Sequence, residues 1–234
     1  MLAIFKREFK SYFNTPIGYI YLAAVYFFLG LLFHSIYAVG DTRLNLEITS
    51  LANIIIYILP ILTMRLMSED RKQRVDQILL TAPVKLTSIV LGKFLAAMAV
   101  FAIGLAPTVI FEAVLAANVE NIQLMYYIYS LIGIMLLGGA LVSIGMFISS
   151  LTESTAISAI LSLVINILVA FDPYFASMIK IKWLSTAVDT LSFLTRFENF
   201  SENIFSIADI IYFLSNIAIF VFLSIRSLEK KRSA

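Results

Sequence analysis

The sequence predicts an all-α, polytopic membrane protein with six transmembrane helices, and three observations lead to that fold. Of the 234 residues, 61% are hydrophobic and only 14% are charged, and the mean hydropathy is +0.95. Soluble domains are roughly 45–50% apolar with about 25% charge. The apolar residues fall in six runs, each close to the roughly 20 residues that cross a bilayer. Finally, Lys and Arg are concentrated on one side of these runs.

The six apolar runs are the predicted spans, and they cover residues 17–39, 49–67, 87–115, 124–149, 155–171 and 207–225. Ahead of them, residues 1–14 carry aromatic side chains on one helical face, with Lys6, Arg7 and Lys10 off that face. This pattern predicts an interfacial helix on the anionic inner leaflet. Charged residues interrupt residues 172–206 too often for a span, so we expect this segment to lie on the outer surface.

Charge predicts the orientation of the chain. Of the 17 Lys and Arg residues, 13 fall on one proposed side of the membrane and 4 on the other. Cytoplasmic loops carry an excess of these residues. Both termini and the loop between spans 2 and 3 are therefore expected in the cytoplasm, and the first span, which lacks a small-residue cleavage site, is expected to stay as an anchor.

Composition also argues against several kinds of site. The chain has no cysteine and one histidine, which excludes disulfides, zinc–thiolate sites and multi-histidine metal sites. No phosphate-binding loop occurs, because Gly92-Lys93 lacks the earlier glycine and is followed by Phe94. We therefore expect no catalytic, metal or cofactor site in this chain. If it transports, its energy comes from another protein.

The segment between spans 2 and 3 is strongly charged, in contrast to the apolar runs on either side of it. Residues 68–82 place Val75, Ile78 and Leu79 at helical spacing opposite a charged face, which predicts a short amphipathic helix on the membrane surface. A plain solvated loop is the alternative. Pro60 lies just before this segment, in span 2. A proline there removes a helix hydrogen bond, so it would form either a hinge or a fixed bend.

Spans 3 and 4 contain further candidates. Lys93 is expected to snorkel from span 3 to the cytoplasmic surface. Glu112 lies near the outer end of span 3, where we expect it to reach water; a buried, functional carboxylate is the alternative. In span 4, Gly139 and Ser143 form a small-xxx-small pair, which is typical of close helix contacts in membranes. That contact would lie either within the chain or between subunits.

Several blocks resemble ABC-2-type ABC transporter permeases, most closely their gliding-motility and nitrous-oxide-reductase-maturation branch. The blocks around the charged segment are PILTMRLMSEDR (60–71), DQILLTAPV (76–84) and VLGKFLAA (90–97). Those near the end are RFENFSENIFSIADIIYFLS (196–215) and RSLEKKR (226–232). The branch often has Thr where Val75 stands and Gly where Asn203 stands.

The resemblance implies a transport subunit without its own ATPase site. Two six-span subunits would pair, as a homodimer or a heterodimer, and each would dock a separate cytoplasmic ATPase that carries ATP and Mg²⁺. It further implies that residues 68–82 are the coupling helix and residues 1–14 an elbow helix on the membrane. The implied docking residues are Glu69, Asp70 and Arg71, followed by Asp76 and Gln77.

The leading hypothesis is therefore the permease subunit of an ATP-driven exporter in a bacterial plasma membrane. Its expected partners are the ATPase, a second permease subunit and membrane lipid, and no nucleic acid. The alternatives are an ion-coupled secondary transporter, a non-transporting membrane anchor for an ATPase, and an intramembrane enzyme. Inverted repeats with midplane polar groups would favour the secondary transporter. The missing nucleophile–base pairs argue against the enzyme.

Overall fold

The computed structural model describes residues 1–39, 45–72, 85–118, 124–171 and 190–232, and these residues form helices and short connections without a strand. The helices in this part of the chain are α1 (Leu2–Asn14), α2 (Pro16–Val39), α3 (Asn45–Thr63), α4 (Ser68–Lys72), α5 (Leu86–Asn118), α6 (Leu124–Leu151), α7 (Thr155–Ala170), α8 (Phe193–Ser201) and α9 (Ile207–Arg232).

Five stretches of the described residues are long and apolar enough to cross a membrane. They contain α2, α3 with α4, α5, α6 and α9. Helix α7 is apolar too, but it has only 16 residues. The prediction of an all-helical, multi-pass membrane protein is confirmed with five long spans, and a sixth span over residues 155–171 stays a prediction.

Helix α6 lies at the centre of the bundle, where it packs against α3, α5, α7, α8 and α9. Glycines allow these close approaches. A Cβ added at Gly138 would lie 2.3 Å from the ring of Phe101 in α5, and one at Gly145 would lie 2.4 Å from Oγ1 of Thr63 in α3. Both distances are far shorter than a van der Waals contact. Helix α6 can therefore pack this closely against α3 and α5 only because these two positions are glycine.

The predicted packing motif in α6 also meets a neighbouring helix. A Cβ at Gly139 would lie 3.0 Å from Cδ1 of Ile217 in α9. Ser143 is fully buried, and its hydroxyl donates to the carbonyl of Ala140 in its own helix at 2.7 Å. The Gly139 contact therefore lies within the chain.

The helix in the predicted second span, residues 49–67, ends before the span does. Helix α3 ends at Thr63 with Pro60 in its last turn, a turn follows at residues 64–67, and α4 begins at Ser68. Helix α4 thus begins where the predicted coupling helix begins. The remainder of that prediction falls mostly in residues 73–84, which lie outside the described part.

Helix α1 is a separate helix that lies against α5 and α2. It ends where Thr15 takes an extended backbone (φ −120°, ψ 156°), and Pro16 opens α2, a position that needs no N–H donor. The contact with α5 is close, since a Cβ at Gly92 would lie 2.9 Å from Cγ2 of Ile4. Helix α1 therefore lies against the first turns of α5, and its place on the membrane surface as an elbow helix stays a prediction.

The described part of the predicted outer segment, residues 190–206, contains α8, which packs against α6 and contacts α3 and α7. Phe197 and Phe200 are buried in this contact. Arg196 forms an ion pair with the buried carboxylate of Asp209 in α9, and Asn199 donates to the same carboxylate at 2.8 Å. These bonds fasten α8 to the start of the last helix.

A left-handed residue ends α8. Asn203 has φ 64°, a value that favours glycine and that asparagine tolerates. The N–H of Ile204 donates to the carbonyl of Asn199 at 2.8 Å, and that of Asn203 donates to Phe200 at 3.3 Å. These two bonds form a Schellman motif, so Asn203 provides the left-handed residue of this helix end.

Candidate functional site: an ion-paired junction between α1, α4, α5 and α6

A buried lysine joins three helices at the end of the bundle that carries α4. Lys93 in α5 is 1% exposed. Its Nζ lies 3.0 Å from Oε2 of Glu8 in α1 and 2.8 Å from Oδ2 of Asp70 in α4. Arg7 approaches Asp70 at 3.9 Å, so two cations face two carboxylates. The prediction that Lys93 snorkels to the surface is wrong, because α1 and α4 cover it with opposite charges.

The charges in this cluster depend on one another. Burial alone would raise the pKa of Glu8, but Lys93 and Arg7 together hold it below its usual value of 4.5. The carboxylate therefore stays charged at neutral pH and can balance the buried ammonium. Removing one member of a buried ion pair leaves the other uncompensated, which is far costlier than losing a surface pair.

The break between α3 and α4 is bonded to α6. The hydroxyl of Ser149, which is fully buried, accepts hydrogen bonds from the N–H groups of Met67 at 3.0 Å and Ser68 at 2.9 Å. It also lies 3.1 Å from the carbonyl of Met64, to which it donates. One side chain of α6 thus bonds three backbone groups at the helix break and is the acceptor for two N–H groups there.

Helix α1 holds the same break from the other side. The hydroxyl of Tyr12 donates to the carbonyl of Leu62 at 2.9 Å, and burial raises the pKa of this tyrosine, which keeps the donor protonated. Arg65, in the turn, donates to Oγ1 of Thr15 at 2.8 Å. We call this set of contacts the junction: α1, the α3–α4 turn, α4, the first turns of α5 and the end of α6.

The predicted docking residues of α4 are part of the junction. Asp70 pairs with Lys93, Glu69 forms a bidentate pair with Arg65, and Arg71 donates to the carbonyl of Ser150 at 2.9 Å. All three predicted residues are partly buried. The prediction assumed that these three side chains lie on an exposed face, whereas their charged groups have partners within the chain. Their role in docking the ATPase stays a prediction. Asp76 and Gln77 lie outside the described residues.

Two carboxylates lie buried at the opposite end of α3 and α5. Glu47 is 2% exposed and Glu112 is 3% exposed. Neither carboxylate has a hydrogen-bond partner among the residues that the structure describes. Nearby, Oγ1 of Thr108 and the hydroxyl of Tyr127 share a hydrogen bond of 3.1 Å. The expectation that Glu112 reaches water is wrong, because neighbouring helices cover it.

Sequence reasoning missed Glu8, Tyr12 and Ser149 as members of the junction. One signal was available, since a lysine within an apolar run has to find a counter-charge or water. This signal does not identify the counter-charge, because Glu8 is 85 positions away from Lys93 in the sequence.

The sequence of these helices matches one known protein family. Residues 48–226 match the sequence profile of a family described as ABC-2 family transporter protein. The matched range is more than half of the chain, and it begins in α3 and ends in α9. It includes Asp70, Lys93 and Ser149 of the junction and leaves α1 outside. No curated protein matches the chain significantly.

Proposed function

Because this chain belongs to the ABC-2 transporter family, we propose that it is the membrane-spanning permease subunit of an ATP-driven exporter. In this proposal the chain pairs with a second permease subunit, and a separate cytoplasmic ATPase docks on each. The membrane is a bacterial plasma membrane, and both termini face the cytoplasm, as the excess of Lys and Arg on that side predicts.

The junction is the observation that supports coupling to an ATPase. Helix α4 is bonded to α5 through Lys93, to α6 through Ser149 and, across the adjoining turn, to α1 through Tyr12. A force on α4 would therefore be carried into three helices at once. This is what a transport subunit needs when ATP is hydrolysed on another protein.

We assign different tasks to the charged residues of the coupling segment. Asp70 and Arg71 fasten α4 to the bundle through their partners in α5 and α6. Glu69 lies in the outer part of the junction, with its side chain about one quarter exposed (26%), and together with Asp76 and Gln77 it would meet the ATPase.

Co-purification from the native cells tests the proposal. The tagged chain, solubilised in mild detergent, is expected to retain a stoichiometric ATPase subunit. Glu69→Lys should weaken that association, because it reverses a charge on the docking surface. Glu202→Lys is the matched control, since Glu202 is exposed and follows α8, away from α4. A folded chain that brings no ATPase would contradict the proposal, and equal retention by both variants would contradict the docking assignment.

The buried pair Glu47 and Glu112 favours the second candidate, an ion-coupled secondary transporter. Ionisable residues inside membrane segments often take part in ion or proton pathways. In that case transport would follow an ion gradient in vesicles without ATP, whereas the leading proposal requires ATP and the partner.

A further inference from the structure

Two prolines lie in the interior of the described helices, and each leaves one carbonyl without its helical donor. Proline has no N–H, so Pro60 in α3 cannot bond the carbonyl of Ile56, and Pro107 in α5 cannot bond that of Ile103. An unpaired carbonyl inside a membrane protein is costly, since no water is available to satisfy it. Another group has to supply each missing donor.

A neighbouring helix supplies the donor in both cases. The side-chain amide of Asn166 in α7 donates to the carbonyl of Ile56 at 2.9 Å. The hydroxyl of Tyr26 in α2 donates to the carbonyl of Ile103 at 3.0 Å. The same arrangement thus occurs twice, and in each case the polar side chain bonds the carbonyl that a proline leaves without its helical donor.

The two contacts differ in their surroundings. Tyr26 is 40% exposed, whereas Asn166 is 2% exposed and lies between α7 and α3. Ser158 and Ser162 lie on the same face of α7, at successive steps of four residues before Asn166, and both are buried. Their hydroxyls and Oδ1 of Asn166 have no hydrogen-bond partner among the described residues. Helix α7 therefore presents a row of hydrogen-bonding groups about 6 Å apart to its buried side.

We propose that Asn166 is a positioning residue that holds the part of α3 around Pro60 in one of two arrangements against α7. In the second arrangement α7 is displaced along α3 by about one turn while α3 keeps its bonds to the junction, and the freed carbonyl of Ile56 takes its hydrogen bond from Ser162. Packed helices switch between such discrete positions rather than deforming continuously. The use of this switch in transport rests on the proposed function, because the junction would deliver the force to the end of α3.

A double-mutant cycle tests the contact itself, without any partner protein. Asn166→Ala is expected to lower the melting temperature of the purified chain in detergent. In a Pro60→Ala background the same change should have a much smaller effect, because the introduced alanine supplies the missing N–H to the carbonyl of Ile56. Pro60→Ser supplies the same N–H if Pro60→Ala fails to fold. Equal losses in both backgrounds would overturn the assignment.

A distance measurement tests the second arrangement. The chain has no cysteine, so Tyr57→Cys and Leu161→Cys, both at exposed positions, accept spin labels selectively. In the permease–ATPase complex with Asn166 intact, we expect the distance between the two labels to change when nucleotide binds. Asn166→Ala should change the balance between the two distances. A single distance that ignores nucleotide in a complex that hydrolyses ATP would overturn the switch. Absence of any bound ATPase would instead contradict the proposed function, and the double-mutant cycle would still decide the Asn166 contact.

Discussion

The two ends of the α3–α5 pair bury charge in opposite ways. At the α4 end, Lys93 is almost fully buried and lies within 3.0 Å of two carboxylates. At the other end, Glu47 and Glu112 are equally buried, and neither has a hydrogen-bond partner in the described part of the chain. The first end is a buried cluster in which opposite charges are paired, and the second contains acidic groups with no counter-charge among the described residues.

The difference indicates where the bundle resists movement. An ion pair in a low-dielectric site is hard to separate, because each charge would be left without compensation. Carboxyl groups without partners impose no such restraint on the helices that carry them. We therefore expect α3 and α5 to move as one unit with α1 and α4 at the junction and to be less constrained at their far ends.

The largest effect is expected from breaking the buried cluster at Lys93. Lys93→Met should destabilise the protein by about 3–5 kcal/mol, the usual consequence of removing one partner of a buried ion pair. Chemical unfolding in detergent measures this change. Lys10→Met is the control, because Lys10 lies exposed on the neighbouring helix α1. Combining Lys93→Met with Glu8→Gln and Asp70→Asn should recover part of the loss, whereas no recovery would contradict the charge-balance argument.

A smaller effect is expected when two serines of α6 are compared. Ser149→Ala leaves the buried N–H groups of Met67 and Ser68 without an acceptor and should cost about 1–3 kcal/mol. Ser130 is equally buried nearer the other end of α6, and its hydroxyl has no partner among the described residues, so Ser130→Ala should change stability by less than about 0.5 kcal/mol. The same unfolding assay compares them, and similar losses would remove the contrast between the two ends.

The smallest effect is expected at the acidic pair. Replacing Glu47 and Glu112 together with Gln should change stability by less than about 1 kcal/mol, because the amides keep the shape and bury no charge. Unfolding in detergent provides the measurement, with Glu8→Gln as a comparison that should cost more. A large loss in the double variant would mean that these carboxylates are ionised and paired in the assembled protein.

The sequence was sufficient for the helices and insufficient for their contacts. Apolar runs are local signals, so the five long spans and the start of the charged segment at Ser68 could be read directly. The helix break just after Pro60 and the burial of Lys93 could not, because both depend on which other helices cover these positions. The same charged residue near a helix end either snorkels or forms a buried ion pair, and only the position of α1 and α4 decides between them.

Asn166 shows the same limit. Sequence reasoning identified Pro60 as a hinge or a fixed bend, but nothing local connects it with Asn166, which is 106 residues away. Asn203 is the opposite case, because its left-handed turn depends only on neighbouring residues in the chain.

In the six-span prediction α7 crosses the bilayer, and its length of 16 residues would then have a consequence for the surrounding lipid. A helix of this length rises about 24 Å, whereas the hydrocarbon core of a typical bilayer is about 30 Å thick. Such a mismatch is met by local thinning of the bilayer or by a tilt of neighbouring elements, each at a modest energetic cost. If α7 is the predicted sixth span, the acyl-chain length of the host membrane would act on α7 and, through the bond from Asn166 to the carbonyl of Ile56, on α3.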